Sequence, residues 1–174
     1  MLDTIVVALD GSAHGDRAFE FAVDLARRFD SELHLVHVVT RHEVPDDLRR
    51  MAEVEHLVPP AAERREKAAG DREEFGAVLR NVERSDQGYR ILEKLGEKVL
   101  ETGAAEARGK GIEAPVTALL RGDPADEIVR YVESVGADTV VSGSRGLGKL
   151  RGLVLGSVSQ KLAQHAPCAS IVVR

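Results

Sequence analysis

Aromatic residues make up only 3% of this 174-residue chain, and tryptophan is absent. Stacking platforms for nucleic-acid bases are therefore scarce. Basic residues are not in excess either: 24 Lys and Arg stand against 29 Asp and Glu, a formal net charge of −5, which leaves no footprint for a polyanion. A single cysteine, Cys168, excludes an internal disulfide framework and any cysteine-based zinc knuckle. Placed just ahead of the last apolar run, it reads as a buried, inert thiol. No apolar run approaches the roughly 18 residues that a bilayer span needs, and Met1-Leu2-Asp3 lacks the basic n-region of a signal peptide. The expectation is a cytoplasmic protein with neither a nucleic-acid nor a membrane partner.

Catalytic machinery is thin as well. The histidines His14, His34, His37, His42, His56 and His165 form no H-E-x-x-H or other metal spacing. His34 and His37, three apart on a strand, point to opposite faces. No Ser-His-Asp arrangement can be read from spacing. No specialised enzyme is expected; any hydrolysis would be slow, for want of a base to activate water.

What is present is a regular alternation of short apolar runs and helical stripes. Ile5 to Leu9 ends at Asp10-Gly11-Ser12 and predicts a buried parallel strand feeding a turn. Ala18, Ala22, Leu25 and Phe29 then mark one helical face. Leu33 to Val39 predicts a second strand, and Ile91, Leu92, Leu95 and Val99 a helix that leaves through Gly109 and Gly111. Pro115 to Leu120 is the third strand. Asp123-Pro124 supplies a capping acid before a proline at the first helical position, ahead of the face Ile128, Val129, Val132 and Val135. Val140-Val141 and Ile171 to Val173 are strands four and five. The pattern predicts a three-layer, doubly wound α/β fold with a five-stranded, mainly parallel sheet. Ligands of such sheets bind beyond the carboxyl ends of the strands, at the switch point.

Residues 43 to 86 interrupt this rhythm. They hold 12 acids and 8 bases, hence net −4, and are longer than a usual connection. Pro59-Pro60 divides them. Leu48, Met51 and Ala52 hint at a helix before the prolines, and Phe75, Val78, Leu79 and Val82 form an amphipathic stripe after them. The segment reads as a helical hairpin inserted in a single domain spanning 1–174, since it is too small to bury its own core. Its stripe suits a lid over a ligand, a dimer interface, or docking on the sheet's own helices.

The most informative stretch is residues 143 to 157, directly after the fourth strand. It contains five glycines, the cations Arg145, Lys149 and Arg151, and no acid. Such a loop brings backbone N–H groups close to an anion. Ser157 and Gln160 have capping-box spacing ahead of Val158, Leu162 and Ala166, so a helix N-terminus should follow. Strand, glycine loop and helix N-terminus together favour a phosphate group. Gly143 to Lys149 fits G-x-x-x-x-G-K, but Leu150 stands where a P-loop requires Ser or Thr. The dinucleotide fingerprint fails too, because Arg151 occupies the third glycine's place.

The spacing Gly143-x-x-Gly146, nine residues, Gly156-Ser157 resembles the nucleotide-binding pattern of the universal stress proteins. Val7-Ala8-Leu9-Asp10-Gly11-Ser12, Gly122-Asp123-Pro124 and His165-Ala166-Pro167-Cys168 agree with it in order and spacing. The resemblance covers residues 1 to 42 and about 87 to 174. It implies a Rossmann-like, adenine nucleotide α-hydrolase-like sheet and a homodimer, here through the last strand, Ala169 to Val173. It implies ATP as ligand; with no metal spacing in the chain, any magnesium or manganese would be held by the phosphates and waters. Backbone groups of Gly143, Gly146, Gly156 and Val158 would hold phosphates and ribose, and the Ser157 hydroxyl would add to the phosphates. Asp10 would contact the nucleoside, and Ala8 and Val38 would frame the adenine. Such a protein is a nucleotide-dependent stress-response module acting through an unidentified protein partner. The alternatives are a protein-binding module with a vestigial loop, a slow ATPase, or a flavin carrier, the last disfavoured by the lack of Trp. From the residues alone, Asp10 could instead close a turn, Ser157 cap a helix and Val38 belong to the core.

Overall fold

The apolar runs become the strands of one sheet in the computed structural model, which describes residues 2–40, 73–146 and 155–174, and the side chains of these outside 73–88. The strands are β1 (Thr4–Ala8), β2 (Glu32–Val39), β3 (Val116–Arg121), β4 (Thr139–Gly143) and β5 (Ala169–Val173). The helices are α1 (Ala13–Phe29), α2 (Glu73–Gly109), α3 (Pro124–Val135) and α4 (Ser157–His165). Two compact units result: Met1–Val39 with Gly96–Arg174, and Thr40–Leu95. The first carries the whole sheet, in the order β3-β2-β1-β4-β5, with every pairing parallel.

Alternation along β1 decides the layering. Ile5, Val7 and Leu9 pack with α1 and with Leu100, Ala104 and Ala107 of α2, whereas Val6 packs with Ile128 and Val132 of α3 and Leu162 of α4. Each large side chain so buried contributes about 1.5–3 kcal/mol. The chain steps from β1 to β3 with helices on one face and returns to β4 and β5 with helices on the other, as one hand of crossover requires. The switch point therefore lies between the carboxyl ends of β1 and β4.

Several local expectations need correction. Phe29 is 50% exposed, because it is the last helical residue before Asp30 turns left-handed (φ 56°). The buried face of α1 is Ala18, Phe19, Ala22, Val23 and Ala26. The helix expected around Ile91 to Val99 and the end of the insertion are one 37-residue helix, α2. The side chains of Phe75, Val78, Leu79 and Val82 lie outside the described residues, as do Leu48, Met51, Ala52 and Pro59-Pro60. Cys168 is half-buried rather than buried, and burial pushes its thiol pKa up, so an inert thiol still follows. His34 faces Tyr131 of α3 (2.8 Å) while His37 faces the opposite layer, toward Gly96 of α2.

Glycine lets α2 lie close to the sheet. A Cβ on Gly96 would sit 2.6 Å from the His37 ring and 2.7 Å from a Leu119 methyl. Asp123 caps α3 by accepting from Ala125 and Asp126 N–H groups. The Asp126 bond is the main cause of its lowered pKa.

At the opposite end of the sheet, the Asp138 carboxylate accepts the N–H groups of Asp3 (2.7 Å) and Thr4 (2.9 Å). These bonds, Thr4 first, hold its pKa below the usual carboxylate range. A depressed folded-state pKa contributes stability above the unfolded value of about 3.9, which is lost as pH falls through the folded value. Asp138→Asn is thus expected to lower the urea midpoint at pH 7, and the gap from wild type should close below about pH 4. An unchanged gap at pH 3 would show that the carboxylate charge contributes nothing.

Candidate nucleotide site at the sheet's carboxyl edge

Two chain segments meet at the switch point, and their contact is built from Asp10 and glycine. β1 ends at Ala8, and one Asp10 oxygen accepts the Ser12 N–H at 2.9 Å. That closes the turn that a short acid favours. Ser12 is the N-cap of α1, and its Oγ accepts the Gly15 N–H at 3.0 Å. A Cβ on Gly15 would lie 2.6 Å from Asp10 Oδ1, and one on Gly146 would lie 2.7 Å from Asp10 Oδ2. The carboxylate is therefore flanked by two positions that have no room for a side chain. One flank comes from α1 and the other from the loop after β4.

β4 continues into the same edge. The Ser144 N–H donates to Val173 O (2.6 Å), and its carbonyl accepts the Gly156 N–H (2.7 Å). Ser159, buried in α4, places its Oγ 3.1 Å from Gly156 O and 3.5 Å from Ser144 O. The two ends of the glycine loop are thus tied to each other and to the first turn of α4. Ser12 Oγ adds a link at 3.5 Å to Arg145 O.

The capping box expected at Ser157 is not formed. Gly156 is the N-cap, because its carbonyl already accepts the Gln160 N–H at 3.0 Å, and glycine has no side chain to add a cap bond. Ser157 becomes the first helical residue and its side chain is exposed. The N–H groups of this first turn have no intrahelical acceptor, and they lie at the positive end of the helix dipole.

Among the candidate site residues, Asp10 and Gly146 touch, and Gly156 and Ser157 open the helix beside them. Ala8, Val38 and Val158 are half-buried and share the layer of α3 and α4. Gly143 is different. A Cβ there would meet His14 C and O and Gly15 N at 2.7–2.9 Å, so its bare backbone serves the packing of β4 against α1. Gly148, Lys149 and Arg151 lie outside the described residues; Arg145 is exposed. Sequence reasoning missed Ser12, Gly15, Ser144 and Ser159. Only Ser12 carried a signal, as a hydroxyl directly before a helical stripe.

Among the described residues, no group of three or more His, Cys, Asp or Glu side chains could hold a metal ion. Any divalent cation there would be held largely by ligand oxygens and water. No described helix is long and apolar enough to cross a membrane. The edge can present main-chain donors and a helix N-terminus to an anionic group, with a carboxylate acceptor close by for hydroxyls.

Comparison with known proteins matches the family model described as the universal stress protein family over residues 1–174. The universal stress protein YxiE of Bacillus subtilis (strain 168) is 32% identical over 174 residues, covering 100% of both chains. Among solved structures, the universal stress protein UspA from Lactobacillus plantarum superposes with a TM-score of 0.64 at 21% identity, covering 99% of this chain and 98% of its own. A universal stress protein in complex with cAMP gives 0.62 at 21% identity, with 99% and 97% covered. At these identities the solved structures bear on the fold.

Proposed function

Since this chain belongs to the universal stress protein family, we propose that it is an ATP-binding member in which nucleotide occupancy sets a stress-response state. In this reading the triphosphate lies against the first turn of α4, held by backbone groups of Gly143, Gly146, Gly156 and Val158 and by the Ser157 hydroxyl. Asp10 accepts hydrogen bonds from the ribose hydroxyls, and Ala8 and Val38 flank the adenine. Magnesium or manganese accompanies the phosphates. The observation that carries the reading is the meeting of Asp10, Gly146 and the α4 N-terminus at one edge. That edge puts an acceptor suited to a sugar beside donors suited to phosphates. The solved relative that carries cAMP supports an adenine nucleotide as the ligand class.

Equilibrium dialysis with labelled ATP tests this. Wild type should retain ATP, and Ser157→Ala should retain it roughly 10- to 100-fold more weakly, as loss of one hydroxyl contact to a charged group predicts. No retention by the wild type would leave a protein-binding module instead. The same reading pairs two copies through β5, an edge strand with half-buried Ile171, Val172 and Val173 and, among the described residues, an unfilled ladder on its outer side. Sedimentation at micromolar concentration should give a dimer, and a monomer at that concentration would contradict the pairing.

A further inference from the structure

The ladder between β1 and β2 stops one bond early, and a side chain takes the place of the missing donor. Leu9 still donates its N–H to Val36 O at 2.8 Å. In a continuing parallel ladder its carbonyl would next accept the N–H of Val38. Instead the Leu9 carbonyl lies 2.7 Å from Nδ1 of His37, and the last paired residues are Ala8 and Val36. A carbonyl only accepts, so the bond fixes Nδ1 as a protonated nitrogen of the ring. Successive residues of a strand turn their peptide groups to alternate neighbours. Val38 therefore faces the same side as Val36, toward a strand that has already left.

The ring also has a seat built for it. Gly96, in the interior of α2, is where a Cβ would strike His37 Cδ2 at 2.6 Å. Glycine is a poor helix former in such a position, and here its bare backbone admits the imidazole. An aliphatic side chain at 37 would fill the same half-buried space but could not engage Leu9.

We propose that His37 is the positioning residue of the nucleotide cleft. Its Nδ1–H captures the Leu9 carbonyl, so β1 separates from β2 directly before Asp10 and the main-chain donor and acceptor of Val38 remain directed at the base. The proposal rests on the nucleotide-binding reading above for its functional consequence, and on the ladder geometry for its structural one.

The test is amide hydrogen exchange of the nucleotide-free protein, together with ATP titration, for wild type, His37→Asn, His37→Gln and His37→Leu. Asparagine carries a donor close to the Nδ1 position, whereas glutamine carries it farther out. In His37→Leu and His37→Gln the freed Leu9 carbonyl should accept the Val38 N–H, slowing Val38 exchange about tenfold or more. His37→Asn should keep wild-type exchange. ATP affinity should fall about tenfold in His37→Leu and stay within about threefold of wild type in His37→Asn. Equal Val38 protection in wild type and His37→Leu overturns the proposal, as does undiminished ATP affinity in His37→Leu. If His37→Leu does not fold, the Asn and Gln pair decides. A wild type that binds no adenine nucleotide sinks the proposed function, while the Val38 exchange pattern still settles whether His37 ends the ladder.

Discussion

Gly143→Ala is expected to destabilise the protein by about 3 kcal/mol, the upper range for overpacking a close-packed site, read as a drop in the urea midpoint. The added methyl would lie 2.7 Å from His14 C, 2.8 Å from His14 O and 2.9 Å from Gly15 N. All three are backbone atoms of the first turn of α1, so no rotamer change relieves the contact. The whole turn must shift, and with it the Ser12 cap. The consequence for function is specific. Alanine keeps the backbone groups that the proposed site draws on at position 143, so loss of ATP binding in this variant would report a displaced α1. A midpoint unchanged within about 0.5 kcal/mol would mean that β4 and α1 approach less closely than described.

Gly146→Ala should do the opposite: leave stability within about 1 kcal/mol and weaken ATP binding roughly 10- to 100-fold, as losing a hydrogen bond to a charged group implies. Gly146 is exposed, and among the described residues its Cβ would meet only the Asp10 carboxylate, 2.7 Å from Oδ2. The carboxylate cannot retreat the other way, because Gly15 closes that side and the Ser12 N–H holds Oδ1. It must swing out of the edge, carrying its acceptor oxygen away from the ribose. Asp10→Asn provides the companion: it keeps the size and the turn but removes the charge. Calorimetric titration of both variants with ATP checks the argument. Wild-type affinity in Gly146→Ala would remove Asp10 from the nucleoside contact.

The sheet was legible because buried parallel strands are continuous apolar runs; β1, β2 and β5 come within two residues of the spans read from sequence. β4 was read short, as Val140-Val141, because the strand also takes in the buried polar Thr139 and Ser142 and ends at Gly143. The long α2 was divided because the stripe at Phe75 to Val82 was assigned to an inserted hairpin ending at 86 and the stripe from Ile91 to Val99 to a separate helix, yet one helix runs through both.

The site was legible in its parts but not in its contacts. The motif placed Asp10, Gly146 and Gly156 at one edge, which follows from strand order alone. That Gly143 serves packing, and that Gly146 borders Asp10, depend on distances between residues 128 to 136 positions apart in the chain, which no local pattern encodes. The position of the α4 cap turned on one hydrogen bond, from Gln160 to the Gly156 carbonyl. Capping-box spacing cannot reveal it.

A crystal structure of the wild type grown with excess Mg–ATP tests the account most directly. It should place the triphosphate against the N–H groups of Ser157 and Val158, the ribose at Asp10 and the adenine beside Val38. A fully formed edge that stays empty at saturating nucleotide, or a nucleotide bound elsewhere on the chain, would contradict it.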